Sequence, residues 1–200
     1  MLIPQDAADR FIQLYLKLMY YAGCERGVLP ASMSPDEFMD TSMAMKGRCR
    51  DAIYEPSPMF EQFLQANGSG LSDEERALVS MWARHHVRGM LVILMHRKEH
   101  TVFLDTQLPA RAYGALGLTS ELSKMFPSQH LPVLVETVLL PYEGVVVCDG
   151  LVALHSIMIG PNMTRDMKDQ YRDLKKEGQV ITTADQLISV TGGSGGSTCT

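Results

Sequence analysis

The sequence predicts an α+β fold: an N-terminal helical segment followed by a mostly antiparallel β-sheet covered by helices. Three observations predict it. Up to residue 86, apolar residues recur at helical spacing behind recognisable capping residues. From Val87 onward they gather instead into short runs bounded by turn residues. Those runs are apolar on both faces. In Met90–His96, Leu91, Ile93 and Met95 point one way while Met90, Val92 and Leu94 point the other. Such strands need cover on both sides, and the N-terminal helices and the 163–177 helix are the available cover.

Each element follows in order. Residues 5–22 carry Phe11, Leu14, Tyr15, Leu18 and Ala22 on one helical stripe, with Gly23 and Gly27 as candidate stops. Ser34-Pro35-Asp36-Glu37 opens a second helix. Ser34 can cap it, Pro35 suits a first-turn position that needs no N–H, and Glu37 can close a capping box. That helix carries Phe38, Met39, Met43 and Met45. Ser57-Pro58 repeats the start for a helix ending near Asn67-Gly68. Ser72-Asp73-Glu74-Glu75 opens another through Leu78, Val79 and Trp82. Strands are expected at Met90–His96 and Thr101–Asp105 around a polar loop, and at Ala112–Leu116. A short helix is expected over Thr119–Phe126. A meander of Val133–Leu140, Val145–Cys148 and Leu151–Ile159 follows. Pro141-Tyr142-Glu143-Gly144 and Asp149-Gly150 are its turn signals, and the second is expected to place Cys148 opposite Leu151. Met163–Glu177 reads as the last helix, Gly178 as its stop and Val180–Thr182 as a closing strand. The expected organisation is therefore a helical segment over 1–86, a sheet with its C-terminal helix over 87–183, and a flexible Gly/Ser-rich tail over 184–200.

Two hundred residues with 46% apolar content suffice for a buried core without a disulfide or metal staple. A net charge of −5, from 18 basic and 23 acidic residues, argues against nucleic acid, which draws affinity from clustered Lys and Arg. Cys24, Cys49, Cys148 and Cys199 form no C-x-x-C pair and fit no zinc spacing, so no metal site is expected, and reduced thiols in a cytoplasm are the default. The run Phe11–Tyr21 is short and interrupted by Gln13 and Lys17, so no membrane span is expected. No G-x-S-x-G, H-E-x-x-H or phosphate-binding G-x-x-x-x-G-K-[ST] occurs, and no cofactor is implied.

Several residues are candidates for chemistry. His85 and His86 are adjacent, and neighbours on a helix point about 100° apart, so they cannot share a metal as i, i+4 histidines do. Arg84, Arg88, Arg97 and Lys98, with His96 and His100, form the most basic local region, but few stacking aromatics accompany them. Glu136 interrupts the apolar run LPVLVETVLL, and a buried carboxylate must find a partner or stay protonated. His155 stands among Leu151, Ala153, Ile157 and Ile159 on its strand face. Asp105 ends a strand and reads first as a turn residue. Gly114 and Gly117 read as sites of backbone freedom at a strand end.

Residues 112–182 also resemble a known group. AYGALGL, LPVLVETVLLPYEGVVVCDGL, a helix containing Tyr171 and a closing GQVITT are similar to a group of uncharacterised bacterial proteins. Those share Y-G-x-L-G-L followed by V-E-T-x-L-L-P-[FY]-x-G-x-[IV]-x-x-D-G-L. Some members carry a Cys-rich zinc-binding tail of the translocation-ATPase type. Here Cys199 is a single cysteine, so that tail is not reproduced. The resemblance implies no activity. The leading expectation is a non-enzymatic cytoplasmic binding or accessory protein with a protein partner, and its apolar surfaces leave room for a homo-oligomer. The alternative is a small hydrolase-like enzyme using Glu136 and His155 as an acid/base pair with Asp105 as orienter. It requires that Glu136 and His155 share one face of the sheet.

Overall fold

The computed structural model describes residues 2–192 and has the α+β architecture expected, with helices first and a mostly antiparallel sheet after them. Cys199 and residues 193–200 of the expected tail lie outside the described residues. The chain divides into two compact units, one of residues 6–84 and the other of residues 2–5 with 85–192.

The first unit holds five helices: α1 (Gln5–Glu25), α2 (Pro35–Met39), α3 (Met43–Tyr54), α4 (Phe60–Asn67) and α5 (Asp73–Arg84). Local chemistry starts several of them. Ser34 Oγ accepts the Glu37 N–H while the Glu37 carboxylate takes the Ser34 N–H at 2.7 Å. Ser72 and Glu75 repeat the arrangement at α5. The single helix expected after Ser34 is in fact two, because Ser42 caps a new start by accepting the Met45 N–H. Gly23 does not stop α1. It is buried inside the helix, and a Cβ there would stand 2.7 Å from Cys49 Sγ and 2.9 Å from Leu29. The helix ends instead at Gly27, whose φ of +65° is the left-handed turn that glycine adopts without strain. Aromatic packing fills the unit. Trp82 is fully buried, with ring centroids 4.9 Å from Phe11 and 5.6 Å from Tyr15.

The second unit is the sheet with three helices. Its elements are β1 (Val87–His96), β2 (Thr101–Asp105), β3 (Ala112–Ala115), α6 (Leu122–Met125), β4 (Val133–Tyr142), β5 (Val145–Cys148), β6 (Ala153–His155), α7 (Pro161–Lys176), β7 (Val180–Ile181) and α8 (Ala184–Gly192). Helix α8 occupies the first nine residues of the segment expected as a tail. The strand order is β5–β4–β1–β2–β3–β7, with β6 also paired to β4, and among these strands of the described residues β3–β7 is the parallel pair. The sheet curls. Leu116, just past β3, donates its N–H to Val146 O at 2.9 Å and accepts from Cys148 N at 2.9 Å, so β5 meets the far side of the sheet. Leu91, Ile93, Phe103, Val135, Leu139 and Val146 fill the inner face together with Leu122 of α6 and Leu187 of α8. Val92, Leu94, Val102 and Leu104 face outward, where Tyr171 of α7 packs on them. The two-sided apolar strands thus have cover on both faces.

Two turns differ from expectation. Pro141 and Tyr142 belong to β4, opposite Val146 and Val145. The turn is Glu143-Gly144 alone, with φ of 44° and 80°, the two left-handed residues of a tight hairpin. Asp149-Gly150 is not a hairpin. Strands β5 and β6 run in the same direction along β4, with Leu139 opposite Cys148 and Glu136 opposite Ala153. Two residues of β4, Thr137 and Val138, therefore face the four residues 149–152, and the Asp-Gly pair makes a bulge. Its carboxylate holds the bulge from within. Asp149 Oδ1 accepts from Thr137 Oγ1 and from the Leu151 N–H, each at 3.1 Å, and the Asp149 N–H reaches Val138 O at 3.0 Å.

Gly114 is needed for space, not for backbone freedom. A Cβ at this β3 position would stand 2.6 Å from the His100 ring. Gly114→Ala is expected to cost about 1–3 kcal/mol by overpacking, measured by urea denaturation. Adding His100→Ala should return part of that loss, because the clash has lost its second partner.

Candidate functional site

Glu136, on β4, sits between Met90 of β1 and Ala153 of β6 in the register. Residues two positions away on an antiparallel neighbour share its face. Arg88 and His155 occupy those positions, and both reach it. Arg88 NH2 is 3.7 Å from Glu136 Oε1, and His155 Nε2 is 3.9 Å from Oε2. Each carboxylate oxygen therefore faces a different side chain, one the Arg88 guanidinium and the other the His155 imidazole. The Arg88, Glu136 and His155 side chains are 18%, 34% and 36% exposed, so this is a half-buried charge cluster open to water. The His155 Nε2 atom is buried and makes no hydrogen bond, since 3.9 Å is beyond bonding distance.

Asp105 does not join them. It pairs with Leu91, which faces the inner side of the sheet, whereas Glu136 is level with the neighbouring residue Met90 on the outer side. Its Oδ1 accepts the Gln107 N–H at 2.8 Å, a local turn that accounts for the residue. The structure thus brings together two of the three candidates and leaves the proposed orienter on the other face.

His96 and His85 are held by hydrogen bonds. His96 Nε2 points at the Phe126 carbonyl at 2.7 Å, which only an N–H can satisfy, so Nδ1 accepts from Thr101 Oγ1 at 2.8 Å in the neutral ring. His85 Nδ1 lies 2.9 Å from Thr191 Oγ1, whose hydroxyl is already donated to Leu187 O. No group of three or more His, Cys, Asp or Glu able to hold a metal ion occurs among the described residues. No helix among them is long and apolar enough to cross a membrane.

A second candidate site lies on the outer face of the sheet. The end of β1 and one face of α7 border an open cleft of about 430 Å³ lined by Met95, Arg97, Lys168, Tyr171, Arg172 and Lys175. Four of these six residues are cations. The guanidinium of Arg97 lies over the Tyr171 ring, 5.4 Å from its centroid, which fixes an otherwise mobile side chain. On α7, Lys168, Arg172 and Lys175 follow at i, i+4 and i+7, one stripe of the helix. Arg172 also pairs with Asp169 at 2.8 Å on the exposed surface. The sequence showed α7 as a helix with mixed charges on its outer side. The cleft was hidden because Arg97 and Lys168 are distant in the chain, and only the packing of Tyr171 onto β1 and β2 joins them.

His100 closes the loop that follows Arg97. Burial pushes its imidazole pKa down; Glu99 opposes that shift, while Arg97 and Lys175 add to it. A histidine whose folded pKa is depressed binds its proton more readily when unfolded. Its contribution to stability is therefore present above the unfolded value of about 6.5 and is lost as pH falls through the folded value. The melting temperature should fall as pH is lowered below about 6.5, and His100→Asn should flatten that part of the profile.

Comparison of the chain with known protein families, with curated proteins and with solved structures found no match.

Proposed function

We propose that this chain is a non-enzymatic binding or accessory protein whose partner is anionic and docks in the cleft between β1 and α7. The observation that carries this reading is the convergence of Arg97, Lys168, Arg172 and Lys175 on one concavity in a chain of net charge −5. Arg172 is partly neutralised by Asp169, and the repulsion among the exposed Arg97, Lys168 and Lys175 favours an anion between them. The reading places the protein in a cytoplasm, where Cys24 and Cys49 remain thiols.

The test is chromatography on a sulfonated cation-exchange resin at low salt. The whole protein should be retained despite its net negative charge, and modest salt should release it. The Lys168→Glu, Lys175→Glu double variant should flow through. Flow-through of the unaltered protein would sink the proposal.

A second reading has one observation in its favour, the 3.9 Å approach of His155 to Glu136. An acid/base pair there would support hydrolysis. Ester turnover that disappears in both Glu136→Gln and His155→Asn would move the assignment to that pair.

A further inference from the structure

We infer that the ligand of the β1–α7 cleft is an oligophosphate, carried as a free chain or as part of a nucleotide. The inference rests on the binding reading above and names its ligand class. Size comes first. A cleft of about 430 Å³ suits a small molecule, since such sites run from about 300 to 1,000 Å³. Length comes second. Lys168 and Lys175 are seven residues apart on α7, so the cationic row extends about 10 Å along the helix axis, the scale of a short phosphate chain.

Charge density separates phosphate from an acidic peptide. In an extended peptide successive side chains point to opposite sides, so one carboxylate faces the row about every 7 Å. Such a peptide would set about two charges against the three cations of the row and Arg97 across from it. A chain of phosphates places an anion against each. Two of the four are arginines, whose planar fork matches phosphate oxygens in pairs. Neither Lys168 nor Lys175 is paired with a carboxylate among the described residues, which leaves their ammonium groups to the ligand.

The same cleft argues against single-stranded nucleic acid. Non-specific strand binding uses aromatic faces on which bases stack. Tyr171 is the cleft's aromatic residue; it is 3% exposed and its ring is covered by Arg97. A base has no platform there, whereas a phosphate needs none.

The experiment is isothermal titration of the whole protein with inorganic triphosphate, with ATP and with a short oligoglutamate, at low and moderate salt. Triphosphate should bind at least tenfold more tightly than oligoglutamate, and Lys168→Ala with Lys175→Ala should weaken it at least tenfold. Lys176→Ala, whose residue pairs with Asp173 outside the cleft lining, should change it less than twofold. Tighter binding of ATP than of triphosphate identifies a nucleotide as the source; equal binding identifies the free chain. Oligoglutamate binding as tightly as triphosphate overturns the oligophosphate assignment and leaves the anion-binding reading standing. If none of the three binds, both fail. Circular dichroism of the exposed-lysine variants, unchanged from the parent, excludes misfolding as the cause of lost affinity.

Discussion

Trp82→Ala is expected to lower unfolding stability by about 3–5 kcal/mol, the range for removing a large buried aromatic. The indole is fully buried and meets Phe11 and Tyr15 at 4.9 and 5.6 Å, with the Tyr15 contact edge-on. Its removal leaves a cavity and forfeits both ring contacts, which add about 0.5–1.5 kcal/mol each beyond area burial. Trp82→Phe retains most of the volume and should cost less than half as much. Guanidinium denaturation followed by far-ultraviolet dichroism checks both variants. Equal losses for Ala and Phe would show that the site does not depend on filled volume.

Asp149→Ala is expected to cost about 2–4 kcal/mol. The side chain is buried, and Oδ1 satisfies Thr137 Oγ1 and the Leu151 N–H together. Truncation strands two buried donors, each worth about 1–3 kcal/mol when left unpaired. Asp149→Asn keeps an acceptor in place and should lose about 1 kcal/mol or less. The contrast between the two isolates the hydrogen bonds from the volume. Thr137 also stands 3.2 Å from Cys148 Sγ, so thiol, hydroxyl and carboxylate form one buried chain, with the hydroxyl donated to the acid. Thr137→Val should therefore couple to Asp149→Ala in a double-mutant cycle, the combined loss falling short of the sum.

Asp149-Gly150 shows where a sequence stops being legible. The same dipeptide suits a hairpin turn and a bulge, because both need glycine at positive φ, and Gly150 has a φ of +82°. The choice belongs to the partner strand. β4 is ten residues long, enough to pair β5 and β6 in succession, and the chain continues along it instead of folding back. Ser34 with Glu37 and Ser72 with Glu75 were legible because a capping box closes within four residues. Gly23 was not, because the close approach of Cys49 that requires a glycine is a contact between different helices.

The candidate site follows the same logic. The apolar neighbours of Glu136 make its need for a partner legible, and the alternation of a strand makes it possible for His155 to share its face. An Arg or Lys partner for Glu136 is expected from the sequence, and its identity as Arg88 is not, because β1 begins at Val87, three residues before its apolar run becomes continuous. The cationic cleft had no local signature. Its residues lie in two segments, each of which reads alone as an ordinary solvated surface, and the positive concavity exists only once α7 is seated on the sheet.

The curl of the sheet has a consequence for how this protein meets other polypeptides. Open β-sheets carry rows of unused main-chain donors and acceptors that invite strand addition and fibrillation. In this unit the outer backbone of β5 is engaged by Leu116 and by a bridge from Val145 to Thr183. What remains at the margins is the three-residue β6 and the two-residue β7. Neither offers a template long enough for an incoming strand to zip onto. Among the described residues, the edges of this sheet are thus poor templates for strand addition.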